Sequence, residues 1–185
     1  MKKGRGLTVS VFGSSRAREG EPQYEEDRAL GRMLAERGYR IRCGGYGGTM
    51  EAVSRGAREA GGEATGITVR AFDPLPANRW LGKELKAPDL FQRLQELIFP
   101  AHGYIVLRGG LGTLTELMLT WTLLQVRAIR GKPLILVGEH WTPVLETLSR
   151  EMELGERELR HLRLVGSIAE AVEELEGALR RAASG

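Results

Sequence analysis

Three glycine-rich turns, each placed between a short apolar run and a segment with helical periodicity, constrain this chain most. The apolar runs at 7–12, 39–43 and 104–107 are predicted to be its first, second and fourth strands. The first, second and third glycine turns follow them, at Gly13-Ser14-Ser15, Gly44–Gly48 and Arg108–Gly112. Glycine lets a backbone turn sharply and approach an anion closely. The repeated order of strand, turn and helix predicts an α/β fold.

The other segments continue this alternation. Further strands are predicted at 63–69 and 132–137, with a short last strand at 162–165. Helices are predicted at 22–37, 49–60, 87–99, 112–129 and 141–152, and a capping box at Ser167–Glu170 opens a final helix. The segment 70–86 is predicted to be a loop that could act as a lid. We expect one Rossmann-like nucleotide-binding domain over 1–185, a doubly wound parallel sheet with helices on both faces.

The order of the strands decides whether the glycine turns meet. In a doubly wound sheet of order 3-2-1-4-5, the strands before the three turns are neighbours, and their turns leave the same carboxyl edge. This convergence predicts a site for a phosphate-bearing ligand. Candidate contacts are Gly45, Gly47 and the hydroxyls of Ser14 and Ser15, although both serines could equally serve only to form the turn.

The third glycine turn carries the most specific pattern. Gly109, Gly110 and Gly112 open a helix whose first backbone N–H groups have no intrahelical partner. Thr113 adds a hydroxyl there, and Glu116 lies on the same helix face. The pattern predicts a phosphate site with a carboxylate one turn above it. The alternative is that Thr113 and Glu116 form a capping box, which needs no ligand.

The motifs that are missing exclude several functions. The first turn lacks the dinucleotide fingerprint and no acidic residue ends the second strand, which argues against NAD. Neither a P-loop nor a nucleophile elbow is present, which argues against ATP hydrolysis and a serine triad. Cys43 is the single cysteine and the three histidines are scattered, so no metal site is expected.

Charge and hydropathy bound the partners and the location. The net charge is +3 and the arginines are spread evenly, so no nucleic-acid partner is expected. No apolar run approaches the ~20 residues of a membrane span, and no signal-type segment is present, so we expect a cytoplasmic protein without membrane contact.

Two predicted helices carry further candidates. The 112–129 helix is apolar around most of its circumference, which suggests a homodimer built on it; its polar stripe is Thr113, Glu116, Thr120 and Arg127. On the 87–99 helix, Arg93 lies at the margin of the apolar stripe. It could reach an anion in a cleft, or it could be a surface arginine that packs its stem on apolar neighbours.

The segment Gly109-Gly-Leu-Gly-Thr-Leu-Thr-Glu116 resembles the P-G-G-x-G-T-x-x-E motif of the LOG family. These proteins are cytokinin riboside 5′-monophosphate phosphoribohydrolases, formerly described as lysine decarboxylases. The resemblance runs from 11–15 through Gly44–Gly48 to 120–121 and 132–133. This chain departs from the family at Arg108, where the motif has proline, at Leu94, where it has lysine, and in a longer stretch between 121 and 132.

The resemblance implies a dimeric Rossmann-like hydrolase that cleaves the N-glycosidic bond of a nucleoside 5′-monophosphate, AMP or a cytokinin-type nucleotide, without a cofactor. It implies that Glu116 and Arg93 are the catalytic pair. It also implies that the 5′-phosphate is held by Gly109, Gly110, Gly112 and Thr113. The alternative is a carrier on the same scaffold that binds a nucleotide or the molybdenum cofactor without turnover. A pyridoxal-phosphate decarboxylase is not expected, because it needs a lysine for its Schiff base. Lys2 and Lys3 lie in the tail, Lys83 and Lys86 lie in the predicted loop, and Lys132 precedes its strand, at the wrong edge of the sheet.

Overall fold

A seven-stranded, entirely parallel sheet forms the centre of the computed structural model, which describes residues 6–183. The strands are β1 Thr8–Phe12, β2 Arg40–Cys43, β3 Ala64–Val69, β4 Lys83–Ala87, β5 Gly103–Val106, β6 Leu134–Val137 and β7 Leu162–Val165. They lie in the order β4-β3-β2-β1-β5-β6-β7. Since the predicted fourth and fifth strands are β5 and β6, this order confirms the expected doubly wound, Rossmann-like sheet.

Helices cover both faces of the sheet. They are α1 Pro22–Glu36, α2 Thr49–Glu59, α3 Leu90–Ile98, α4 Leu111–Gln125, α5 Trp141–Glu151, α6 Glu156–Leu159 and α7 Ile168–Ala183, with a 3-10 turn at Arg70–Phe72. Side chains alternate along each strand, so that Ile105 packs into the core beneath α1, α2 and α7, while Tyr104 and Val106 pack beneath α3 and α4. The order of the strands reverses between β1 and β5, and in doubly wound sheets ligands bind outside the carboxyl ends of the strands at such a point.

The prediction of a loop throughout 70–86 was wrong, because β4 begins at Lys83 and pairs in parallel with β3. The sequence of this edge strand is KELKA, and three of its side chains are exposed charges. Charged edge strands resist pairing with other chains, and for the same reason they lack the apolar run that reveals a buried strand. The segment before β4 is fastened at Asn78, whose backbone N–H donates to the Gly45 carbonyl at 2.9 Å and whose side-chain amide donates to the Tyr46 carbonyl at 3.0 Å.

Two predicted helix boundaries also need correction. The third helix begins at Leu90 rather than at 87, because the Asp89 carboxylate caps it by accepting from the Gln92 N–H at 2.9 Å. The fourth helix ends at Gln125. Arg127 adopts φ 61°, in the left-handed region, and lies exposed beyond the helix, so it does not belong to the polar stripe of α4. Within residues 6–183, no helix is both long enough and apolar enough to cross a membrane.

Candidate active site

The three glycine turns meet at the carboxyl edge of the sheet. In the first turn the Ser14 N–H donates to the Arg108 carbonyl, beside the third turn, at 3.0 Å. The Ser14 carbonyl accepts from the N–H of Thr49, directly after the second turn, at 2.8 Å. Backbone hydrogen bonds therefore join turns that are separated by up to about a hundred residues in the chain, as the predicted strand order requires.

Close packing explains glycine at two of these positions. A methyl group on Gly44 would lie 2.1 Å from Nη2 of Arg93, and one on Gly109 would lie 2.0 Å from Oγ1 of Thr113. Gly110 and Gly112 differ, because a methyl group on either would meet no protein atom within 4 Å. Two glycines thus serve contacts within the protein, while the other two leave free space beside the first turn of α4.

Thr113 does not cap its helix, so the capping-box alternative is wrong. The residue before the first helical position is Gly110, and no side chain bonds to the end of α4. The Thr113 hydroxyl instead donates to the Gly13 carbonyl at 2.9 Å. This bond ties the start of α4 to the first glycine turn and leaves the N–H groups at the helix start without a side-chain acceptor.

Arg93 is buried, so the alternative of a surface arginine is also wrong. It is 8% exposed and points from α3 toward the ends of β2 and β3. Its guanidinium donates to the Ile67 carbonyl at 2.8 Å and to the Gly44 carbonyl at 3.3 Å. The third contact joins Nη1 to Oε1 of Glu116 at 3.4 Å. Arg93 thereby fixes the Glu116 carboxylate relative to two strands of the sheet.

Glu116 is held by a different helix, not by its own. Only 7% of the residue is exposed, and its carboxylate faces Arg93. Burial raises the pKa of Glu116 to about 7 from its ordinary value of 4.5, while the charge and the hydrogen bond of Arg93 act against this rise. A carboxyl group with a pKa near 7 can accept or give up a proton under neutral conditions.

The other predicted site residues lie at the same edge, with different surroundings. The Ser14 hydroxyl accepts from the Arg16 N–H at 2.9 Å, as a turn-forming serine does, and Ser15 is exposed. Gly45 has φ +83° and is buried against Gly66 of β3. Gly47 is half-buried, at the surface of the second turn.

Two residues that support these turns were not predicted from the sequence. Asp27 of α1 is buried and accepts a hydrogen bond from the hydroxyl of Thr49. Thr49 follows the second glycine turn directly, a position that could have drawn attention to it. No sequence pattern, in contrast, indicates that Asp27 of α1 contacts Thr49 of α2.

The acids, the histidines and Lys132 can each be placed relative to the glycine turns. Within 6–183 no group of three or more histidine, cysteine, aspartate or glutamate side chains could hold a metal ion. Lys132 lies before β6, at the amino edge of the sheet, and its ammonium group donates to the Phe99 carbonyl at 2.8 Å. It is therefore remote from the glycine turns, at the opposite ends of the strands.

Comparison with known proteins assigns the family. Residues 50–176 match a family model described as "Possible lysine decarboxylase". A rice protein (Oryza sativa subsp. japonica) named "Probable cytokinin riboside 5′-monophosphate phosphoribohydrolase LOG4" is 31% identical over 161 residues, which span 82% of this chain and 68% of the rice protein. The chain belongs to the LOG family. The LOG motif is the third glycine turn with the first turns of α4.

Two further proteins are similar to this chain, one over part of its own length and one in fold alone. The "Pyrimidine/purine nucleotide 5′-monophosphate nucleosidase" of Escherichia coli (strain K12) is 31% identical over 159 residues, 78% of this chain but 35% of the enzyme. The solved structure of "the molybdenum cofactor binding protein" from Rippkaea orientalis is 20% identical, with a TM-score of 0.74 over 94% of this chain and 97% of that one. This last likeness concerns the fold. Proteins with different names therefore share this fold.

The positions that depart from the LOG motif have distinct environments. Arg108 is exposed, and its carbonyl accepts from the Ser14 N–H and, at 3.2 Å, from the side-chain amide of Gln23. Leu94 is half-buried on α3. The contacts at 108 are made by the backbone carbonyl, while the arginine side chain adds a positive charge at the edge of the third glycine turn.

Proposed function

We propose that this LOG-family protein hydrolyses the N-glycosidic bond of a nucleoside 5′-monophosphate, AMP or a cytokinin-type nucleotide, to the free base and ribose 5-phosphate. The observation that carries the proposal is the buried Glu116, with a pKa near 7, fixed by Arg93 beside a glycine turn that opens a helix. The names of the rice and E. coli relatives support the same class of reaction.

The third glycine turn is proposed to bind the 5′-phosphate. The backbone N–H groups at the start of α4 and the partial positive charge of the helix end favour an anion there. Gly110 and Gly112 border free space, Gly109 accommodates Thr113, and Thr113 joins α4 to the first turn. The hydroxyls of Ser14 and Ser15 and the backbone of Gly45 and Gly47 are proposed to complete the nucleotide-binding edge.

The proposed reaction breaks the bond between C1′ of the ribose and the base nitrogen and forms a bond from C1′ to the oxygen of water. Positive charge develops on the sugar as the base leaves, as in glycoside hydrolysis. A carboxylate at Glu116 stabilises that charge and can take a proton from the attacking water, while the departing base gains one. No metal or redox cofactor is needed for this step.

The two members of the proposed catalytic pair have different parts. Arg93 donates to two main-chain carbonyls and to Glu116, so its guanidinium is engaged by the protein. We assign it a positioning role: it fixes the Glu116 carboxylate and limits the rise of its pKa. Glu116 is the group that acts on the reacting atoms.

The test is incubation with AMP, an N6-alkylated AMP and other nucleoside monophosphates, followed by detection of free base and ribose 5-phosphate. Release of both products by the wild-type protein, and its loss in Glu116→Gln, is expected. Glu146→Gln, an exposed position on α5, is the matched control and should leave turnover unchanged. Wild-type protein that releases no base from any of these nucleotides would overturn the proposal.

A carrier that binds its ligand without turnover is the second candidate. Arg108 and Leu94, which replace the proline and lysine of the LOG motif, favour it, and the Rippkaea protein with the same fold is named for binding the molybdenum cofactor. Tight nucleotide or cofactor binding by the wild-type protein, with no base released, would support a carrier instead of a hydrolase.

A homodimer through α4 is part of the proposal. Thr122 is exposed on this helix and Met118, one turn earlier, is partly buried, while Leu111 at its start and Phe91 on α3 are each 80% exposed. Leu111, Met118 and Thr122 share one face of α4 by their spacing, and exposed apolar side chains on such a face are typical of an interface. Sedimentation of wild type as a dimer and of Thr122→Glu as a monomer is expected, with Thr147→Glu on the exposed part of α5 as control. A monomeric wild type would contradict this part.

A further inference from the structure

A second buried acid lies on the other side of the sheet from Glu116, and the proposed reaction does not use it. Asp27 of α1 is 2% exposed. Its Oδ2 accepts a hydrogen bond from the Thr49 hydroxyl at 2.5 Å. An acid sealed in this way costs stability when it is ionised, unless a partner compensates for the charge. Its position in the fold therefore needs an explanation.

Thr49 connects this acid to the glycine turns. Its N–H donates to the Ser14 carbonyl at 2.8 Å. Its side chain packs on the first turn so closely that a methyl group on Gly13 would lie 2.4 Å from the Thr49 methyl. The Gly13 carbonyl in turn accepts from Thr113. Asp27 is therefore linked to the first turn through Thr49, and to the start of α4 through Thr49 and Gly13.

The charges around Asp27 leave it without a cation as a partner. Burial raises the pKa of Asp27 to about 7, Thr49 lowers it by hydrogen bonding to the charged form, and the Glu26 charge raises it. The α1 cations nearest in sequence are engaged elsewhere, since Arg28 and Arg32 both pair with Glu59 of α2. Ionisation of Asp27 would place an uncompensated negative charge beneath turns that are proposed to bind an anion.

We propose that Asp27 is a positioning residue for the phosphate-binding turns, that it acts through Thr49, and that these turns bind phosphate more tightly when Asp27 carries its proton. The protonated carboxyl still accepts from Thr49, so the turns stay joined to α1 without an opposing charge. This inference rests on the proposed function in one respect, which is that the turns hold the phosphate group of the ligand.

The size of the effect follows from electrostatics. Two unit charges on the order of 10 Å apart, at an effective dielectric constant of about 25 to 50, change an equilibrium constant about three- to tenfold. Asp27→Asn keeps an oxygen that accepts from Thr49 but cannot ionise. The ratio of the dissociation constants of wild type and variant therefore isolates Asp27, because the titrations of the ligand and of Glu116 occur in both proteins.

The experiment is calorimetric titration of wild type and Asp27→Asn with ribose 5-phosphate from pH 5.5 to pH 8.5. We expect equal dissociation constants at the acid end, and about three- to tenfold weaker binding by wild type at the alkaline end. A ratio that is constant over this range, while the unfolding stabilities of the two proteins still diverge with pH, would show that Asp27 has only a structural role and would overturn the proposal.

Substitutions of Thr49 give a second, independent readout. Thr49→Ser keeps the hydroxyl and should keep the pH dependence of the ratio. Thr49→Val removes the one hydrogen bond that favours ionised Asp27, so Asp27 should ionise at a higher pH. The fall in affinity for ribose 5-phosphate should then occur at a higher pH as well. A Thr49→Val profile that coincides with wild type would contradict the role of Thr49 as the link.

Failure of the proposed reaction can be told apart from failure of this inference. Ribose 5-phosphate binding with the expected pH-dependent ratio, but no release of base from AMP, overturns the hydrolase and supports the role of Asp27. Turnover with a ratio that does not depend on pH overturns the role of Asp27 alone. An absence of ribose 5-phosphate binding at every pH overturns both.

Discussion

The two faces of the sheet each bury one acid close to the glycine turns, and the two acids differ in their partners. Glu116, on the α3 and α4 side, contacts the Arg93 guanidinium at 3.4 Å. Asp27, on the α1 and α2 side, accepts from the Thr49 hydroxyl at 2.5 Å, and within residues 6–183 no cation pairs with it. Burial raises the pKa of both to about 7. Similar pKa values therefore do not imply similar roles: we propose that the acid held by a fixed cation acts in the chemistry and that the acid with a neutral partner supports the turns.

The largest expected effect is that of Glu116→Gln on turnover. The amide keeps the size of the side chain but removes the charge that stabilises the sugar cation, so kcat should fall about 1000-fold, or about 4 kcal/mol. The dissociation constant for ribose 5-phosphate should change less than threefold, because the phosphate contacts are on other residues. Equal losses in binding and in turnover would mean that Glu116, like Asp27, only supports the binding turns. The two acids would then not differ in role.

Asp27→Asn should alter stability with pH. The folded-state pKa of about 7 lies above the ordinary value of 3.8, so between these values the folded protein retains a proton that the unfolded chain releases. The stability of wild type should therefore fall as pH rises through this window and then level off. Relative to wild type, the variant should gain about 3–4 kcal/mol between pH 4 and pH 8, measured by urea unfolding. A difference that is independent of pH would exclude a buried, protonated Asp27.

Gly44→Ala should disturb the fixed cation without touching either acid. The new methyl group would lie 2.1 Å from Nη2 of Arg93 and 2.6 Å from the sulfur of Met50, so the guanidinium must leave the position in which it contacts Glu116. We expect kcat/KM to fall about 30-fold, or about 2 kcal/mol. Gly82→Ala is the control, since its nearest neighbours would be 3.6 Å away. Unchanged turnover in Gly44→Ala would show that the position of Arg93 is unimportant for Glu116.

The smallest expected effect is that of Gly112→Ala, which separates ligand contacts from protein contacts. No protein atom lies within 4 Å of the added methyl group, and alanine favours a helix more than glycine does. Stability should rise by about 0.5–1 kcal/mol, whereas the affinity for ribose 5-phosphate should fall about fivefold, or about 1 kcal/mol. An affinity equal to that of wild type would place the phosphate elsewhere on this edge.

The sequence predicted those features that depend on local patterns. Apolar runs such as 104–107 revealed the buried strands, and glycines placed after three of them predicted the edge where the turns meet. The edge strand β4 was missed because its residues are mostly charged and exposed. The sequence of β4 alone does not reveal the strand. Its parallel pairing with the neighbouring strand β3, rather than its own residue pattern, keeps it extended.

Features that depend on tertiary contacts stayed ambiguous or hidden. For Arg93, the helical pattern allowed both a buried and a surface position, and the choice depends on the carbonyls of Gly44 and Ile67, far away in the chain. Thr113 and Glu116 matched a capping box equally well until the Gly13 carbonyl and Arg93 were in place. The bond between Asp27 and Thr49 joins two helices with no shared motif, so no sequence pattern connects them.

The guanidinium of Arg93 bridges main-chain groups from two adjacent strands and a side chain from a later helix. Its geometry exists only when the segments around residues 44, 67, 93 and 116 are assembled together. Catalysis would then require the assembled sheet. When denaturant is added, turnover should be lost in the same transition as the global fold, and no partly unfolded form should remain active.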